Sequence, residues 1–358
     1  MNYQRLNQAL TTELRRRLHK VPVTQVRNQA LVTQALTFCP TCHLSILALL
    51  FPVLTKRPNL EQRIRRWLAN SRVMQSLCYL PLIRPVLAQW PQRELGLLMD
   101  RTDIKDRWSI LTLAIAFRHR ALPLAWQVSP FGATSAEHQI AMLKYARPHL
   151  PSPRKVRINF YADSEFRAVD LQQYCQSQRW HWQVGLACNT KFRQGTSDWQ
   201  TLRTIPVTRG QRRYLQGVLL SKEHPFGPVN LIADWTHDDD SPRYVATDQR
   251  ADRHTWRRGR KRFWIEPLFR DWKSYGFDLE RSQLVHPERL KTLLLGMATA
   301  TLWMFHIGQW VIQTNRRSLL EADHKDDYSL FRLGRDYAFR SQMFDWELPI
   351  DFTVNCAA

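Results

Sequence analysis

The stretch ELGLLMDRTDI, Glu94 to Ile104, marks a change of period in the chain. Before it, apolar residues recur at three- and four-residue spacing. From it onward they run continuously or alternate, the pattern of strands. WSILTLAIAFRH and RALPLAWQV follow after very short connections, so a meander of three antiparallel strands is predicted. TSAEHQIAMLKYARPHL then reads as a helix entered through a capping box, Thr134 to Glu137. KVRINFYAD reads as a strand, EFRAVDLQQYCQSQ as a helix and HWQVGLACNT as a strand. The order βββαβαβ is that of a ribonuclease-H-like α/β core, in which antiparallel strands are followed by parallel ones reached through helices.

Residues 1–90 read as an all-helical unit, with Pro52, Pro58, Pro81 and Pro85 as punctuation. This section holds 13 Lys and Arg against two acids, Glu13 and Glu61, which fits a DNA-binding module, with a helical dimerisation or packing arm as the alternative. The core is assigned to 91–194 and 251–325. Between them, 195–250 carries short strands separated by Gly, Pro and acidic turns, and reads as a β-rich insertion. Residues 326–358 are left as a C-terminal tail.

The chain has 358 residues, enough for more than one core. Its 52 Lys+Arg against 31 Asp+Glu give a formal charge of +21. Such an excess points to a polyanionic partner, nucleic acid before membrane. Six Cys make no disulfide framework, and the lone FCPTCH lacks the second pair that a zinc site needs, so free thiols in a cytoplasmic protein are expected. The apolar run from Thr292 to Ile312 is long enough to span a bilayer, but His306 and Gln309 favour a buried core helix. No Gly-rich phosphate loop is present, which disfavours nucleotide triphosphate use.

Asp100 ends the apolar run LGLLM of the first predicted strand, and Asp163 ends VRINFYA of the fourth. In the predicted sheet those strands are neighbours, so the two carboxylates lie side by side. Buried carboxylates without a partner are costly, and Mg²⁺, with its preference for hard oxygen ligands, suits such a pair. A third acid is expected from a helix across the sheet. RRGRKRFWIEPLFRDWKSYGFDLERS, Arg257 to Ser282, supplies Glu266. On an ideal helix at about 100° per residue, Arg262, Glu266, Arg270 and Lys273 share a sector of about 80°. Trp264, Ile265, Leu268 and Trp272 form a separate packing stripe. Pro267 fits only a first turn or a kink.

MDRTDIKDRW, FYADSEF and KRFWIEPLFRDWKSYGFDLE together resemble the bacterial insertion-sequence transposases of the DDE type, group four, whose signature is Y-(2)-R-(3)-E-(6)-K. Arg262, Glu266 and Lys273 reproduce the R-E-K spacing, while Gly259 stands at the tyrosine position. The resemblance implies that Asp100, Asp163 and Glu266 are catalytic ligands of two Mg²⁺ or Mn²⁺ ions. It implies that Arg262 and Lys273, with Arg270 beside them, contact DNA. It also makes Trp235 the candidate to stack on a flipped base. The partners it implies are double-stranded DNA, as terminal inverted repeats and target, and a second copy of the chain, with no membrane. The location it implies is the bacterial cytoplasm, at the nucleoid. The competing expectations are a catalytically inactive DNA-binding derivative and a structure-directed endonuclease on the same fold. Asp103 and Asp106, read as turn residues, and Glu165, read as suiting a helix dipole, are set aside.

Overall fold

The computed structural model describes residues 2–322 and 324–355. Of the tail assigned to 326–358, residues 356–358 lie outside the described residues. Residues 1–90 contribute helices α1 (Tyr3–Arg17), α2 (Val23–Phe38), α3 (Leu44–Leu49), α4 (Arg57–Leu68), α5 (Gln75–Cys78) and α6 (Leu80–Ala88). Strands β1 (Glu94–Ile104), β2 (Trp108–Phe117) and β3 (Arg120–Pro130) follow as an antiparallel meander. The β2–β3 connection is only Arg118 and His119, both at positive φ, as a two-residue hairpin turn of this kind demands.

Helix α7 (Ala136–Ala146) leads to β4 (Arg157–Ala162), and α8 (Val169–Ser177) leads to β5 (His181–Leu186). Both strands run parallel to their neighbours, β4 against β1 and β5 against β4. Helix α7 is capped by Ser135, whose hydroxyl accepts from the His138 N–H, and not by the Thr134 box expected from sequence. Thr134 is engaged elsewhere, on Glu165.

The strands β6 (Lys191–Gln194), β7 (Gln200–Thr201), β8 (Arg212–Leu220), β9 (Phe226–Asp234) and β10 (Arg243–Thr247) come next. They do not form a sheet of their own. β10 pairs antiparallel with β5, giving one ten-stranded sheet in the order β3-β2-β1-β4-β5-β10-β9-β8-β6-β7. The pairing has a simple cause: β5 would otherwise leave an open edge beside the site, and β10 satisfies its backbone groups.

The basic segment is α9 (Arg253–Gly259), a 3-10 stretch Arg260–Ile265, α10 (Glu266–Arg270) and a π turn Asp271–Tyr275. Pro267 lacks an N–H, and the Glu266 N–H bonds three residues back to Phe263, so the winding tightens before Glu266. Ile265, Leu268 and Trp272 are buried and Trp264 is half-buried, so the predicted stripe packs inward.

Helix α11 (Pro287–Gln313) is apolar and long enough to cross a membrane, yet it is almost wholly enclosed by protein. It is wrapped from both sides. Gln29 of α2 donates to Thr299 Oγ1 (3.2 Å), Trp126 of β3 donates to Lys291 O (3.0 Å), and α12 (Leu330–Phe344) packs along it. The helices of residues 1–90 therefore share one hydrophobic core with the sheet and α11.

Candidate active site

Parallel pairing of β1 with β4 runs in register up to Met99 opposite Ala162. The next position on each strand is Asp100 and Asp163, so the sheet sets these two acids side by side. Asp163 is no longer in the ladder. It opens a short 3-10 turn, and its Oδ1 accepts from the Glu165 N–H at 2.8 Å. Asp100 Oδ1 accepts from the Arg101 N–H at 2.8 Å.

Burial pushes the Asp100 carboxyl up to about 7, and the negative charges of Asp163 and Glu266 act in the same direction, while Arg262 opposes them. All three acids thus share one electrostatic neighbourhood, with Arg262 inside it. Glu266 is exposed, at the first position of α10. None of the three is in an ion pair among the described residues. Nor, among the described residues, do three His, Cys, Asp or Glu side chains draw together tightly enough to enclose a metal ion.

Two recesses meet at Glu266. The first is a cleft of about 500 Å³ lined by Asp163, Glu266, Arg262, Trp256, Phe263 and Arg243. The second, shallower one is lined by Thr102, Glu266, Arg270 and Lys273. Arg262 and Lys273 therefore open onto different recesses, whereas a uniform helix puts them on one face. The reason is the winding: tighter than α before Glu266 and wider than α after Arg270.

Gly185 and Gly259 shape the floor of the first cleft. A Cβ on Gly185 of β5 would stand 2.8 Å from the Ser164 nitrogen and 3.0 Å from the Asp163 carbonyl carbon. Only a bare backbone there lets the Asp163 turn settle on β5. A Cβ on Gly259 would stand 2.2 Å from Gln183 Oε1. Gln183 is buried, and its Nε2 donates to the Thr255 carbonyl at 3.1 Å, which fastens α9 to β5. A side chain at position 259 would have to displace the Gln183 carboxamide.

The cleft wall also holds aromatic rings covered by guanidinium groups. Arg212 lies 3.5 Å and Arg260 5.4 Å from the Trp256 ring, and Arg262 (4.2 Å) and Arg243 (4.8 Å) lie over Phe263. Sequence reasoning passed over Trp256, Phe263, Arg243, Gly185 and Gln183. The interleaved Arg and aromatics of TWRRGRKRFW were the available signal. Trp235, just beyond β9, is half-buried and donates its indole N–H to the Asp239 carbonyl at 3.0 Å, and it does not line this cleft. Asp103 lies within β1 and not in the turn after it, and Glu165, in the first turn of the 3-10 helix Ser164–Phe166, is also held by Arg101 and Thr134.

Residues 91–303, more than half of the chain, match the family described as Transposase DDE domain. No curated protein matches the chain. Among solved structures it is similar to a piggyBac transposase in a synaptic complex with hairpin DNA, at 10% identity. That likeness covers 96% of this chain and 80% of the other with a TM-score of 0.44, too loose to place residues by. On the strength of the match across its sheet and α11, the chain belongs to the DDE-domain transposase family.

Proposed function

We propose that the protein cuts the ends of an insertion sequence and joins them to target DNA, with Asp100, Asp163 and Glu266 as its catalytic acids. The observation that carries this reading is the register of β1 and β4, which sets Asp100 and Asp163 next to each other with Glu266 in the same electrostatic field. The order β3-β2-β1-β4-β5 supports a ribonuclease-H-like core, extended by β10 to β6 in place of a detached insertion. The R-E-K spacing supports the group-four bacterial family.

The donor set suits Mg²⁺ or Mn²⁺: three carboxylates, all hard oxygen donors, outside any ion pair among the described residues. Asp100 and Asp163 from adjacent strands and Glu266 from the facing helix would hold a pair of such ions. When bound, they supply neutralisation of charge on the entering and leaving oxygens of an in-line phosphoryl transfer. Arg262, whose charge reaches Asp100 and which lines the first cleft, would bind a phosphate there, and Arg270 and Lys273 one in the second. Trp256 and Phe263, covered by arginines, give that cleft a rigid wall for a nucleotide. Trp235 is a weaker candidate for base stacking because it lies outside that cleft, with the Arg209 guanidinium over its ring. A homodimer that synapses two DNA ends, working at the nucleoid in the bacterial cytoplasm, completes the proposal.

The test is nicking of duplexes that carry the element's terminal repeats, with and without Mg²⁺. Metal-dependent nicking at the repeat ends, lost in Asp100→Ala, Asp163→Ala and Glu266→Ala, is expected. Binding without cleavage would instead identify an inactive derivative, and cleavage indifferent to end sequence a structure-directed nuclease.

A further inference from the structure

Arg101 directly follows Asp100, and Glu165 lies two residues past Asp163. Each serves twice. Their backbone N–H groups donate to Asp100 Oδ1 and Asp163 Oδ1, both at 2.8 Å. Their side chains then meet, with Arg101 Nε donating to Glu165 Oε2 at 2.8 Å. The two groups that orient the acids are thus joined by an ion pair running from β1 to the turn after β4.

The pair is itself held on both sides. Arg101 Nη1 donates to Asp103 Oδ1 at 2.6 Å, which also accepts from Ser109 Oγ at 2.6 Å. Glu165 Oε1 accepts from the Thr134 N–H and hydroxyl, each at 3.0 Å. Both side chains are only about one-fifth exposed (20% and 21%), so this is a more constrained contact than a solvated surface pair. Alternation along β1 turns Arg101 and Asp103 to the face opposite Asp100. The guanidinium is drawn away by two other carboxylates, which leaves Asp100 out of an ion pair with it.

We infer that the Arg101–Glu165 pair positions Asp100 and Asp163 for a divalent cation, fixing their spacing and orientation from behind the sheet. This inference rests on the metal-binding reading proposed above. Residues that hold metal ligands in place commonly alter affinity by about 10- to 100-fold when changed. The same two strands carry a natural control at their other end, where Arg157 Nη1 lies 3.2 Å from Glu94 Oε1. A pair that merely staples β1 to β4 should behave like that one.

The experiment is Mn²⁺ binding to the full-length protein without DNA, followed by electron paramagnetic resonance, with thermal midpoints in parallel. Glu165→Gln and Arg101→Gln are each expected to weaken Mn²⁺ binding at least about tenfold. The double variant should be no weaker than the worse single one, because both act through one contact. Glu94→Gln should bind Mn²⁺ as wild type does, and the midpoints of all variants should stay close together. Wild-type affinity in Glu165→Gln, multiplicative losses in the double variant, or affinity falling only in step with the midpoint would overturn the inference. A wild-type chain that binds no Mn²⁺ would instead overturn the metal reading on which it rests.

Discussion

Gly259 lies against the buried carboxamide of Gln183 so closely that a Cβ on the glycine would come within 2.2 Å of Oε1. The glycine, which stands where the resembled Y-R-E-K signature has tyrosine, therefore meets its neighbour on β5. Restoring the tyrosine alone, Gly259→Tyr, should destabilise the fold by on the order of 1–3 kcal/mol through overpacking. Shortening the neighbour as well, in Gly259→Tyr with Gln183→Gly, should recover part of that loss. Thermal midpoints of the two variants decide the matter, and equal midpoints would show that the contact imposes no constraint.

Gly185 makes a different prediction, about geometry more than stability. A valine there meets the Ser164 nitrogen and the Asp163 backbone, and it must push that turn off β5. Gly185→Val should cut nicking by at least tenfold, an effect worth about 1.4 kcal/mol in the barrier. Binding of terminal-repeat DNA should change little. Nicking at the wild-type rate in a folded variant would show that Asp163 does not depend on this close approach.

The raised Asp100 carboxyl predicts a slope of stability with pH. Its ordinary value is 3.8 and its folded value is about 7. Below about pH 4 both the folded and unfolded states are protonated, and the group contributes nothing. Between about pH 4 and 7 the unfolded chain ionises while the folded one stays protonated, so stability falls as pH rises, and above 7 the penalty is complete. Asp271, raised to about 6 by burial against the opposing charge of Arg120, adds a slope of the same sign. In EDTA, Asp100→Asn should flatten the loss of midpoint between pH 4.5 and 8 without abolishing it. Divalent-metal affinity of the wild type should climb through pH 7, since the ion binds the ionised carboxylate. A steeper slope in the Asn variant would reverse the assignment.

Much of this arrangement is legible in the sequence. The long apolar runs ending in Asp100 and Asp163 announce central strands, because alternation gives way to continuous burial where both faces are covered. The Ile265, Leu268, Trp272 stripe is equally plain. What the sequence conceals are contacts set by winding and by pairing. A uniform helical wheel cannot anticipate the 3-10 and π segments on either side of α10, which send Arg262 and Lys273 to separate recesses. The pairing of β10 with β5 depends on an open edge that no local pattern records. Glu165 looks like an ordinary helix-start acid until Arg101 is found beside it.

The enclosure of α11 by elements from both halves of the chain bears on when the protein becomes competent. A nascent polypeptide exposes the strands bearing Asp100 and Asp163 well before Glu266 and α11 have left the ribosome. Until residues 287–313 arrive, α2, α4 and β3 lack the helix that packs against all three. A partly synthesised chain thus carries Asp100 and Asp163 on an unfinished scaffold, and the proposed cutting of DNA must wait until Glu266 and α11 have been made.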